Sequence, residues 1–207
     1  MSAVRTEPRL PTSPEGVERG RASGYWGMWF LIFTEATLFA ILLTSYFFIR
    51  FHSGPEWPPG GIEKPRLFLI SIMTPILLLS SAPIHWAERS IRRGRVGRLR
   101  LGLLLTMLMG ATFLVLQGVE YHETLTKEFT AATNAYGTLF FGITGFHGIH
   151  VLVGLVMLSW LQVQAWRGIF TEQRHTAVEV ITMYWHFVDV VWVFILASLY
   201  LSPHVWP

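Results

Sequence analysis

Residues 25–49 read YWGMWFLIFTEATLFAILLTSYFFI, an unbroken apolar run with a single carboxylate, Glu35, near its middle. A helix over this run is long enough to cross a hydrocarbon core of ~30 Å. The ten steps from Tyr25 place Glu35 roughly 15 Å deep. A charge at that depth is costly unless it is protonated or paired, so intramembrane acids are rare, face the protein interior and mark function.

Outward from this run, four more segments are as long and as apolar: 67–87, 101–119, 135–166 and 180–202. Each suffices for a membrane-spanning helix. The runs are continuously apolar rather than alternating, which excludes a transmembrane β-barrel. The composition agrees: 52% of the 207 residues are hydrophobic and only 14% are charged, against about 25% charged in soluble domains. The predicted fold is all-α, an integral membrane bundle of five transmembrane helices over residues 25–207. Residues 1–24, rich in Pro, Arg and Glu, read as a disordered cytoplasmic tail with no secretory signal.

The chain has no cysteine, which excludes disulfides, thiolate metal sites and cysteine nucleophiles. Its net charge of +3 does not point to nucleic acid, because the basic residues follow the spans. Arg5, Arg9, Arg19 and Arg21 lie in the tail, Arg89, Arg92, Arg93, Arg95, Arg98 and Arg100 in the second connection, and Arg167 and Arg174 in the fourth. Only Arg50, Lys64, Arg66 and Lys127 fall on the other side. The positive-inside rule then predicts a cytoplasmic N-terminus and an external C-terminus. Trp26, Trp29, Trp57, Trp86, Trp166, Trp185 and Trp206 mostly fall near predicted interfaces, as an aromatic belt would.

The Pro/Gly-rich stretch 54–65 predicts a non-helical loop. Pro75 and Pro83 lie inside the second run and predict kinks, with Ser80, Ser81 or neighbouring helices satisfying the freed carbonyls. There is no inverted repeat and no pair of broken helices of the kind transporters use.

Polar residues recur on one face of several runs. Thr106, Gly110, Phe113, Gln117 and Glu120 form one stripe of the third. Gly142, Gly145 and Gly148 form a small-residue stripe in the fourth, suited to close helix approach, with His147 and His150 on a different face. Glu179, Met183, His186, Asp189 and Val193 share a face of the fifth, and Asp189 is the sole aspartate. The pairs His147/His150 and His186/Asp189, each at i, i+3, admit two readings. Facing helices with such pairs build metal sites in bundles, and imidazole with carboxylate suits zinc or iron. Alternatively, they hydrogen-bond across helices and set packing. Nothing resembles a Ser/His/Asp arrangement, a phosphate loop or a dinucleotide fingerprint.

Five segments resemble subunit III of the haem–copper oxidases: WGMWFLIFTEATLF (26–39), LLLSSAPIHWA (77–87), LTMLMGATFLVLQGVEY (105–121), YGTLFFGITGFHGIHVLVG (136–154) and YWHFVDVVWVFILASLY (184–200). They cover all five runs in order. The resemblance implies a non-redox accessory subunit of a respiratory terminal oxidase, a cytochrome c oxidase of aa3 or caa3 type, with no catalytic centre of its own. Haems and copper would lie in partner subunits I and II. The chain would pack directly on subunit I, near subunit II and a small subunit IV, in a bacterial plasma membrane and in places within a respiratory supercomplex. It would bind structural phospholipid and support proton uptake by subunit I. Glu35 matches the family's buried, carbodiimide-reactive glutamate. His147, His150, His186 and Asp189 match family motif positions, which lowers the metal reading.

One departure stands out. Long members have seven spans, and this sequence lacks the first two, so the lipid cleft they wall is in question. In some short bacterial members, helices at the end of subunit I fill that place, and the same is expected here. Arg167 is then the candidate lipid head-group contact, since guanidinium suits phosphate. Other readings are subunit III of a quinol oxidase and, from another class, a free-standing transporter or a metal-binding membrane protein.

Overall fold

A computed structural model describes residues 14–53, 57–59, 62, 64–127 and 129–205, with side chains from residue 23 except that of Lys127. The elements are α1 (Pro14–His52), α2 (Leu67–Leu79), α3 (Ser81–Ile91), α4 (Val96–Lys127), α5 (Ala135–Trp166), α6 (Thr176–Ile195), a π-helical segment (Leu196–Leu201) and α7 (Ser202–Val205). No strand occurs among the described residues. Five stretches are long and apolar enough to cross a membrane: Ser23–His52, Leu67–Ile91, Val96–Thr126, Ala135–Trp166 and Thr176–Val205.

Helix ends follow local chemistry. α5 begins where the Asn134 side chain accepts from the Gly137 amide at 2.9 Å, a standard N-cap. It ends at Gly168, whose φ of 71° is the left-handed conformation glycine tolerates. Arg100 donates to the terminal Ala165 carbonyl at 2.9 and 3.1 Å, satisfying a group the helix leaves open. Its guanidinium lies 4.5 Å from the Trp166 ring. α1 begins at Pro14, well before the expected start at residue 25. Proline at the first helical position has the right φ and no amide to lose, and no further proline interrupts residues 15–24. So residues 14–24 of the expected tail continue the helix, while residues 1–13 lie outside the described residues, as does Trp206.

The second span breaks between Leu79 and Ser81. Pro83 has no amide to offer the Leu79 carbonyl, so the ladder stops one turn earlier. Ser80 bridges the gap: its amide donates to Ile76 and Leu77, and its hydroxyl to Leu77 at 2.6 Å. Pro75 sits within α2 without ending it.

α6 is the central helix, with 56% of its span buried against 11% for α1. α1 packs mainly on α5 and α6 and forms one edge of the bundle. Lipid is as apolar as the core, so tight packing and hydrogen bonds, not water exclusion, hold the helices together. Trp185 on α6 is the main wedge. A β-carbon on Gly110 would come within 2.6 Å of its ring, and one on Gly154 within 2.9 Å. Its indole donates to Ser80 at 2.8 Å, tying α6 to the break in the second span. Gly102 likewise lets α4 approach that break, since a β-carbon would meet the Pro83 carbonyl at 2.6 Å.

Two expectations need correcting here. The close approach on α5 occurs at Gly154 rather than along the Gly142, Gly145 and Gly148 stripe. A β-carbon on Gly142 would meet nothing within 4 Å, one on Gly145 the Tyr121 hydroxyl at 3.4 Å, and one on Gly148 only Leu114 at 4.0 Å. Trp185 and Trp57 are buried and do not belong to a belt. Trp57 instead donates to the Tyr46 hydroxyl at 3.0 Å under the α1–α2 connection. Trp26, Trp29, Trp86 and Trp166 are exposed near the helix ends, where an amphipathic ring suits an interface.

Candidate functional site

Of the three histidines within the fourth and fifth runs, His147, His150 and His186, Glu35 meets His150, with Oε2 at 3.0 Å from Nε2. α1 crosses α5 here, and the Phe39 ring packs edge-on against the imidazole at 5.1 Å. The other ring nitrogen, Nδ1, lies 2.7 Å from the Phe146 carbonyl. A carbonyl only accepts, so Nδ1 carries a proton. A neutral imidazole then presents a bare Nε2 to the carboxyl. The contact therefore requires one more proton between Nε2 and Oε2, and the pair holds it with no net charge on either assignment. That removes the cost of an isolated charge in the membrane.

The Tyr184 hydroxyl donates to the His150 carbonyl at 3.2 Å, so α6 also buttresses the pair. Leu31, Ile149, Val153, Met157 and Tyr184 complete a recess of about 170 Å³ around Glu35 and His150. The site sits at the bundle's edge rather than its centre: the Glu35 side chain is 29% exposed and that of His150 12%. The arrangement can hold a proton and pass it between two defined atoms, with an apolar rim that excludes water.

The histidine pairs do not converge. His147 points into the core against Phe113 and Trp192, away from His150's contact with Glu35. His186 lies instead beside Ser81, whose hydroxyl is 2.8 Å from Nδ1. Ser81 also donates to Asp189. The single serine proton goes to the carboxylate, so the serine oxygen accepts from His186. The expected pair His186/Asp189 is thus joined through α3. Among the described residues no group of three or more histidine, aspartate or glutamate side chains is placed to share a metal.

The stripe on α4 lies inward as expected, with Thr106, Gly110, Phe113 and Gln117 buried and Glu120 half-buried. Thr106 donates to Gly102 at 3.0 Å. Arg167 is exposed at the end of α5, and its amide donates to Val163.

Sequence reasoning missed a cluster around Glu179, which it placed only on a helix face. This carboxylate is 2% exposed. It accepts from the Tyr25 hydroxyl at 3.2 Å, pairs with Arg92 at 3.0 Å and meets His175 Nε2 at 3.2 Å. Arg92 also bonds Glu88 at 2.6 Å. That hydrogen bond, with Glu179 beyond it, raises the Arg92 pKa above its ordinary value. The cluster ties α1, α3 and α6 at the basic end. The available signal was weak: an acid in the first turn of α6, and Glu88 spaced i, i+4 from Arg92.

Comparison with known proteins agrees with the motifs. A family model for cytochrome c oxidase subunit III matches residues 16–205. Proteins named cytochrome c oxidase subunit 3 are 38% identical over 184 residues in Drosophila melanogaster, 36% over 180 in Oryctolagus cuniculus and 37% over 180 in Oncorhynchus mykiss. In each case the match covers 84% of this chain and 68% of the relative. With five membrane-spanning helices in a single bundle, the chain belongs to the cytochrome c oxidase subunit III family.

Proposed function

We propose that the chain is a non-redox accessory subunit of a bacterial terminal oxidase that reduces oxygen with electrons from cytochrome c. It packs against subunit I and keeps proton delivery to that subunit fast. Haems and copper belong to the partner subunits. The observation that carries the reading is the Glu35–His150 pair: a charge-neutral proton-holding unit, deep in a span, on an otherwise apolar flank.

The flank itself supports assembly. α1 exposes Phe30, Phe33, Ile41, Phe48 and Phe51 along the edge of the bundle. A partner subunit's helices cover that edge, with acyl chains of structural phospholipid in the apolar recess of about 250 Å³ between Phe39, Leu43, Phe187 and Phe194. Exposed Arg167 offers a head-group contact at the basic end. The basic end faces the cytoplasm of a plasma membrane.

The test is purification from native membranes in mild detergent, followed by reaction with a hydrophobic carbodiimide. Haem absorbance and two larger subunits co-purify, and label appears on Glu35 and is lost in Glu35→Gln. A chain that purifies alone from cells shown to make an active oxidase overturns the reading.

A further inference from the structure

Asp189, the sole aspartate, is 6% exposed. At 1.5 Å per residue it lies roughly 20 Å along α6 from Thr176 at the basic end, well inside the span. Its Oδ2 accepts from the Ser81 hydroxyl, and its Oδ1 is buried with no hydrogen-bond partner among the described residues. The same Ser81 oxygen lies 2.8 Å from His186 Nδ1. One line of hydrogen bonds therefore runs from a buried carboxyl, through a hydroxyl, to a half-buried imidazole. Polar residues continue from it toward the basic end. Ser81, His85, Glu88 and Arg92 form one stripe of α3, and Asp189, His186, Thr182 and Glu179 one stripe of α6. His85 is exposed, with its ring 6.5 Å from that of His186, and the Arg92–Glu179 ion pair joins the two stripes at the basic end. His85 and Glu88, both on α3, are the titratable groups that act on His186, and Ser81 is the polar group on Asp189. On the other helices packed against α6, Glu35 and His150 engage each other and His147 packs on Trp192.

His186 differs from other helical histidines here in what its Nδ1 meets. His52, His150 and His204 each place Nδ1 at 2.7 or 2.8 Å from the carbonyl one turn back. A carbonyl only accepts, so those rings are held in one tautomer. His186 meets a hydroxyl instead, which both donates and accepts. Ser81 can therefore reverse its direction, and the His186 ring can exchange its tautomer.

We infer that His186 and Ser81 form a proton wire to Asp189, which holds one proton inside the span. A proton arrives at His186 Nε2 from the side of exposed His85. His186 Nδ1 releases its own proton to the Ser81 oxygen, and the Ser81 hydroxyl proton passes to Asp189 Oδ2. One proton enters and one is bound. The imidazole ends neutral with Nε2 protonated, Ser81 ends neutral and donates to Nδ1, and the carboxylate becomes a carboxylic acid. Loading thus removes a buried charge from the membrane, and chains of histidine and carboxyl groups serve as proton relays in such settings.

The wire lies within this chain's own bundle and does not depend on the oxidase reading. The test is infrared difference spectroscopy after a pH jump, on the protein as purified from membranes. A carboxylic C=O band that is absent from Asp189→Asn is expected to appear as pH falls and to vanish as it rises. Ser81→Ala and His186→Gln are each expected to keep the band and to slow its appearance by about 10²-fold, the usual worth of a positioned proton-transfer group. Ser81→Thr restores the hydroxyl and is expected to recover the rate. The wild type alone can refute the wire: an Asp189 carboxyl that keeps one protonation state at every pH overturns it. A wild-type rate in Ser81→Ala or His186→Gln, or a rate in Ser81→Thr as slow as in Ser81→Ala, overturns it equally.

Discussion

The Trp185 indole occupies the notch left by Gly154 on the facing helix, where a β-carbon would come within 2.9 Å of the ring. Gly110 opens the other side of the same ring, at 2.6 Å. Neither ring nor backbone can shift cheaply, since the indole is held by Ser80. Gly154→Ala and Gly110→Ala are therefore each expected to destabilise the bundle by about 1–3 kcal/mol, the usual cost of overpacking. Gly142→Ala is the control. With nothing within 4 Å, it is expected to be neutral or to gain up to about 1 kcal/mol from helix propensity. Thermal unfolding in detergent measures all three, and equal losses at Gly142 and Gly154 would refute the wedge.

The Glu179 cluster predicts an asymmetry. Arg92 has its side chain 48% exposed, whereas that of Glu179 is 1% exposed. Removing the carboxylate leaves a guanidinium that water can solvate. Removing the guanidinium leaves a carboxylate that water cannot reach. Arg92→Gln is thus expected to cost more than Glu179→Gln, which should cost about 1–3 kcal/mol. The double variant should recover to the level of Glu179→Gln alone. Hydrogen exchange should rise first at residues 25–29, because Tyr25 is α1's link to the cluster. A double variant as unstable as the sum of the two would contradict the pairing.

How far these features were legible depends on how local they are. The ends of α5 follow from Asn134 and Gly168, each acting within one turn, and the expected range 135–166 is the observed one. Glu35 stood out because one charge among apolar neighbours needs no partner to be noticed. Its partner did not, because choosing among His147, His150 and His186 depends on where α1 crosses α5, which periodicity does not encode. Glu179 was missed for the same reason: its partners come from segments as far as 154 residues away. The glycine stripe misled because small residues permit close approach, but the position of Trp185 on another helix decides where it happens.

Topology can be read with single cysteines, since the native chain has none. Arg95 and Arg174 are exposed at the basic end, and Thr130 and Ala132 at the other. In intact cells a membrane-impermeant thiol reagent is expected to label cysteines at positions 130 and 132 and to spare those at 95 and 174. Permeabilised cells should label all four. The opposite pattern in intact cells would invert the orientation drawn from the arginine distribution.

The Glu35–His150 pair makes the sharpest prediction, because its hydrogen-bond roles are fixed. The Phe146 carbonyl holds the proton on Nδ1, so Nε2 requires a donor when the imidazole is neutral. Glu35→Gln supplies one: an amide N–H can donate to Nε2 in the same geometry, but it cannot give up its proton or take another. The variant is therefore expected to assemble with normal stability and lose carbodiimide labelling at this position. Electron transfer in early turnovers should be retained, with the loss confined to proton-coupled behaviour, namely slower proton uptake at high pH or faster inactivation during turnover. Glu35→Ala removes the donor as well and strands Nε2 in an apolar recess, at a cost of about 1–3 kcal/mol. The two variants thus separate proton handling from packing. Stopped-flow proton uptake and turnover-dependent inactivation of the assembled complex distinguish them. If Glu35→Gln abolished electron transfer in a fully assembled complex, Glu35 would belong to the catalytic machinery, and the accessory role would have to be abandoned.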